Sequence, residues 1–167
     1  MELITPSVDY FGSYKHALAD FEAAGISGFW RFYGTTEDPE AYLERIRQYQ
    51  HRAGLDDGLV PASIFWLVDN HEFVGHVSIR HELNAALKRV GGHIGYAIRP
   101  AAQRKGYGSA ILRLALPKAR ELGIRSALVT CDASNVASRR IIEKNGGVFK
   151  EEMEVEGRIV LHFIIDL

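Results

Sequence analysis

Ile94-Gly95-Tyr96-Ala97-Ile98-Arg99-Pro100-Ala101-Ala102-Gln103-Arg104-Lys105-Gly106-Tyr107-Gly108-Ser109 is the stretch whose reading decides the fold. The apolar run Ile94 to Ile98 predicts a strand, ended by Pro100, which has no amide to donate. Ile111, Leu114, Ala115, Ala119 and Leu122 recur at helical spacing and predict a helix. Between the two lie Arg104, Lys105, Gly106 and Gly108. A helix start carries unpaired amides and a partial positive charge. Glycines let a ligand approach that backbone, and the two cations add full charge. The combination predicts a socket for a phosphate or pyrophosphate.

The string G-x-x-x-x-G-K-[ST] does not occur, and Ile111 stands where a dinucleotide fingerprint needs its third glycine. The pattern that fits is Gln103-x-x-Gly106-x-Gly108. Downstream come the buried-strand pattern Ser126 to Cys131 and a helix start at Asp132, Ser134 and Asn135. That helix has Ile141 and Ile142 on its apolar side and stops at Gly146-Gly147. In order and spacing these segments resemble the GNAT family of N-acetyltransferases. Two positions depart from that family. Ile142 stands where a tyrosine commonly proposed to protonate the leaving thiolate is often found, and Gly146-Gly147 replaces Gly-Phe.

Net charge −1 gives no general attraction to nucleic acid. No apolar stretch is long enough to span a bilayer, and the N-terminus lacks a basic, apolar signal core. The single cysteine, Cys131, permits no internal disulfide, and its apolar strand predicts an inert core thiol in a reducing cytoplasm. With 167 residues, 47% of them hydrophobic, the chain suits one domain, residues 1–167. The expected elements are strands at Glu2 to Thr5, Ser63 to Val68, Phe73 to Arg80, Ser126 to Cys131, Val148 to Val155 and Arg158 to Ile165. Helices are expected at Tyr10 to Ala24, Pro39 to Arg52 (capped by Asp38) and Glu82 to Val90. Pro117 predicts a kink in the helix after the basic turn. This order resembles the family over nearly the whole chain, weakly before Ser63.

The resemblance implies an α/β fold with a mixed, mostly antiparallel central sheet and helices on both faces. A parallel strand pair, His93 to Ile98 and Ser126 to Cys131, would splay apart beside the loop. It implies acetyl-CoA as co-substrate and a small-molecule or peptide amine as acceptor, with no metal, and it is compatible with a homodimer. Backbone groups of Ile98 and Pro100 would line the pantetheine arm. Gln103, Arg104, Lys105, Gly106, Tyr107, Gly108 and Ser109 would hold the pyrophosphate, with Asn135 and Ser138 on the other side of the arm. Asn135 also reads as a plain N-cap, and Arg139-Arg140 as a solvated helix face.

Attack on a thioester needs a neutral amine, hence a base or a water chain to one. The base candidates are His76, His81, Glu82 and His93. Glu82 and His93 flank the Leu83 to Gly92 insertion, and folding it back would join them and raise the histidine pKa. Glu82 also reads as a cap of the insertion helix. Either the thiolate leaves without the usual donor, or Tyr107 or Tyr96 would serve as acid in place of the missing tyrosine. The resemblance puts the acceptor against Phe29, Trp30, Phe32, Tyr33, Glu37, Asp38 and Glu154 to Arg158, where the aromatics equally suit covering the sheet. Two rival readings are an acyl-CoA sensor without catalysis and a nucleotide-binding module using the same loop.

Overall fold

A computed structural model describes residues 1–26, 38–53 and 55–167. Phe29, Trp30, Phe32, Tyr33 and Glu37 lie outside the described residues. Strands β1 (Glu2–Ile4), β2 (Ala62–Asp69), β3 (Glu72–Arg80) and β4 (Ile94–Ile98) form an antiparallel sheet in that order. Strands β5 (Ser126–Asp132), β6 (Val148–Val155) and β7 (Arg158–Asp166) form a second antiparallel sheet, ordered β5-β7-β6. The helices are α1 (Phe11–Ala23), α2 (Pro39–Gln48), α3 (Ala85–Arg89), α4 (Tyr107–Glu121) and α5 (Val136–Lys144).

Alternation along β2 explains the layering. Ile64, Trp66 and Val68 point into an aromatic layer with Phe11, Tyr14 and Phe21 of α1 and Tyr42, Leu43 and Ile46 of α2. Leu67 points the other way, into a core with Ile111, Leu112, Ala115 and Ala119 of α4 and the strands of both sheets. The hairpin between β2 and β3 turns on Asn70 and His71, both at positive φ, as a tight turn requires. Asp38 caps α2 by accepting the Glu40 amide at 3.0 Å, with Pro39 at the first helical position.

One expectation needs correction. Helix α3 starts at Ala85, not Glu82, because Asn84 is the residue whose side chain caps it, accepting the Leu87 amide at 2.9 Å. Helix α4 does not end at Pro117, as expected, its two halves held on one period by the fully buried Ala115 and Ala119. No parallel ladder joins β4 to β5 among the described residues. The two sheets meet through one antiparallel bridge, Gly92↔Val129, with the His93 amide donating to the Leu128 carbonyl at 2.7 Å. Gly91 at φ 108 and Gly92 at φ 60 swing the chain from that bridge into β4. Past it, the seam is open.

Candidate functional site

The open seam is the mouth of a cavity of about 670 Å³. Its β4, β5 and α5 side carries Tyr96, Cys131, Asp132, Asn135 and Ser138. The Tyr96 hydroxyl and the Ser138 hydroxyl are 3.1 Å apart. Burial pushes the Tyr96 phenol up to about 12, the Ser138 hydrogen bond opposing. Ser138 is in turn placed by the start of α5, where Asn135 accepts the Ser138 amide at 3.0 Å. Asn135 is therefore an N-cap that also lines the cavity. Cys131 is buried, and burial raises its thiol, the neighbouring Asp132 carboxylate adding to the effect. That environment suits an inert thiol.

Beyond the C-terminal end of β4, a single 3-10 turn at Pro100–Ala102 leads to the basic loop. Gln103 donates to the Ile98 carbonyl at 3.2 Å and Lys105 to the Ala101 carbonyl at 3.1 Å, so both brace the loop from within. Arg104 sits at φ 61 and is exposed. Gly106 caps α4 at φ 87, and a Cβ built there meets nothing within 4 Å. The first intrahelical bond is Ala110 to Gly106, so the preceding amides of the α4 start remain for a ligand. Gly108 also serves the packing of two helices, α4 against α5, since a Cβ there would meet Ile141 Cδ1 at 2.6 Å. Ser109 accepts from Asn145 Nδ2 at 3.3 Å through both its carbonyl and its hydroxyl, tying the same two helices.

The catalytic candidates separate. Tyr107 donates to Asp69 at 2.7 Å, at the β2–β3 turn, and does not line the cavity. Its hydroxyl is raised by that carboxylate, which is itself held low by the N-terminal ammonium and by Tyr107. Glu82 is exposed and pairs with Arg52. His93 accepts the Leu128 amide on Nδ1 at 2.9 Å, which leaves its ring proton on Nε2. Burial and the Arg80 charge lower its pKa, the reverse of the expected rise. Glu82 and His93 are thus not brought together. His76 is 1% exposed on β3 and burial lowers it to about 3. His81 lies 2.9 Å from the Ser63 hydroxyl, lowered by burial and by His51. Among the described residues, no group of three or more His, Cys, Asp or Glu is placed to hold a metal ion, and no helix is long and apolar enough to cross a membrane.

Ile142 is fully buried in the core, and a Cβ at Gly147 would meet its Cγ2 at 2.4 Å. The two departures from the family pattern are one packing solution. Sequence reasoning missed the other end of the cavity, built by Leu59, Val60, Ala62, Ile64, Leu87 and Val90. These positions look like ordinary core and loop residues, and no local signal marks them. Of the last hairpin, Arg158 reaches the cavity and pairs with Asp132 at 3.3 Å.

The acetyltransferase (GNAT) domain family matches residues 13–148, and the chain belongs to that family. No curated protein matches it. Among solved structures it is similar to RimL, a ribosomal-protein alpha-N-acetyltransferase in complex with coenzyme A. That match has 19% identity and TM-score 0.69, over 99% of this chain and 93% of that one. It is also similar to a variant of the spermidine N-acetyltransferase of Vibrio cholerae, with 16% identity and TM-score 0.66 over 99% and 95%. A microcin self-immunity acetyltransferase in complex with acetyl-CoA and AMP matches with 16% identity and TM-score 0.71 over 99% and 91%.

Proposed function

We propose that the protein, acting as one domain in the cytoplasm, transfers the acetyl group of acetyl-CoA to a primary amine. The observation that carries this reading is the pairing of the open α4 start at Gly106 with a cavity into which Tyr96 and Ser138 project. Amides of the α4 start, with Arg104, receive the pyrophosphate. Asn135 and Ser138 flank the arm. The acceptor nitrogen bonds to the thioester carbonyl carbon, the C–S bond breaks, and the sulfur leaves as a thiolate. A phenol near 12 does not surrender its proton to a thiolate whose parent thiol lies near ~8.5. Tyr96 therefore acts as a hydrogen-bond donor that stabilises the departing charge, and the thiolate takes its proton from solvent. The ammonium proton of the acceptor leaves through water, since Glu82 and His93 are committed to Arg52 and Leu128.

Calorimetry with acetyl-CoA, followed by thiol release over a panel of amines, tests the proposal. Micromolar binding with amine-dependent release is the expected result. Binding with no release for any amine leaves an acyl-CoA sensor. Competition by ATP equal to that by CoA leaves a nucleotide module.

A further inference from the structure

We propose that the acceptor is an amine with an apolar body, and that Leu87 on α3 sets this preference. The inference rests on the acetyl-transfer reading and names the substrate class of the same cavity. Its acceptor end is walled by Leu59 and Val60 before β2, Ala62 and Ile64 on β2, and Leu87 and Val90 on the insertion. Among the described residues, Arg80, Asn84 and Thr130 at that end bind the wall itself. Arg80 Nη1 donates to the carbonyls of Gly91 and Gly92 at 3.3 and 3.0 Å. Asn84 donates to the Gly58 carbonyl at 2.8 Å while its oxygen caps α3. Thr130 Oγ1 accepts the Gly91 amide at 2.8 Å. Ser78 is 2% exposed, and Asp57 stands exposed at the outer end. At the mouth, Asp132 pairs with Arg158 at 3.3 Å, both side chains exposed to solvent.

A five-residue helix does not hold its shape alone. Here it is fixed from outside as well: His162, 1% exposed on β7, donates through Nε2 to the Arg89 carbonyl at 2.8 Å. The wall is therefore preformed. An aliphatic chain laid along it gains burial with each methylene. A second ammonium laid along these aliphatic side chains loses hydration, and the carboxylate nearest that end, Asp57, is exposed, so solvent screens what the pair returns.

The experiment measures, by calorimetry on the CoA-loaded protein, the affinity of n-alkylamines from propyl to hexyl and of spermidine. Thiol release from acetyl-CoA is followed with the same amines. Affinity is expected to rise about threefold per methylene, with spermidine at least about tenfold weaker than hexylamine. Leu87→Gln, a helix-compatible change, is expected to cut hexylamine affinity about tenfold and leave CoA affinity unchanged. A flat chain-length response, or spermidine binding or reacting better than hexylamine, overturns the inference and leaves acetyl transfer standing. The predicted order of binding without thiol release supports the inference and overturns acetyl transfer. An unchanged hexylamine affinity in Leu87→Gln overturns the role of Leu87.

Discussion

The first sheet ends in two contrasting regions. Against α1 and α2 it is closed by rings: Tyr14 stacks on Trp66 at 4.6 Å, and Phe73 meets both edge-on at 5.2 and 5.3 Å. At its β4 edge it is left incomplete, joined to the second sheet, among the described residues, by a single bridge. The closed region spends its backbone pairing and side-chain volume on stability. The open region keeps a phenol, a serine hydroxyl and the α4 start, which has no side-chain cap, for the proposed ligand. The lesson is that the proposed site sits where the fold withholds a ladder, between two sheets that are each well packed.

Substitutions should separate these regions. The largest effect is expected from Trp66→Ala in the closed layer: a loss of about 4 kcal/mol in urea unfolding, with CoA affinity of the folded fraction unchanged. A large fall in that affinity would show that the two regions are not independent. Tyr96→Phe should do the opposite. Turnover falls about 30-fold, equivalent to about 2 kcal/mol, with little change in unfolding. Undiminished turnover would remove Tyr96 from the chemistry. Gly108→Val should cost about 2 kcal/mol of stability, partly restored by Ile141→Ala, because the clash lies between α4 and α5. If it instead abolishes CoA binding with stability intact, Gly108 serves the ligand directly.

His76 gives the closed region a pH signature. Its folded pKa, about 3, lies below the ordinary 6.5, so the unfolded chain binds the extra proton between those values. Its contribution is full above 6.5 and is lost as pH falls, at about 1.4 kcal/mol per pH unit. Denaturation across pH 4 to 7 should be visibly flatter in His76→Leu. The smallest effect is expected at the loop. Arg104→Ala and Lys105→Ala should each weaken CoA about threefold, the effect shrinking with added salt. Salt-independent binding would make both residues solvated surface.

Much of this was legible in the sequence, for identifiable reasons. The Gly106 cap, the Asn135 cap and the turns at Asn70-His71 and Glu156-Gly157 are local devices written in adjacent residues. Alternation in β2 and the periods of α1, α2 and α4 carried the layers. The GNAT membership followed from a loop and a helix whose spacing is short-range. The catalytic pairing of Glu82 with His93 failed because it depended on long-range partners. Arg52, some thirty residues before Glu82, takes its carboxylate, and the Leu128 amide takes the His93 ring. Tyr107 and Tyr96 looked equivalent in sequence, both flanking the loop. Only Asp69 on one side and Ser138 on the other distinguish them.

What the sequence by itself determined is therefore the set of elements, the caps of α2 and α5 and the glycine start of α4, because each depends on φ/ψ preference and side-chain period within a few residues. The tertiary structure decided which tyrosine faces the cavity, which histidines are buried neutral, why Gly108 is a glycine, and that the insertion helix becomes an apolar wall. Those outcomes depend on contacts between residues distant in sequence, such as Ile141 against Gly108 or His162 on the Arg89 carbonyl. Such contacts exist only once both sheets have packed on α4, and no short window of sequence contains both partners.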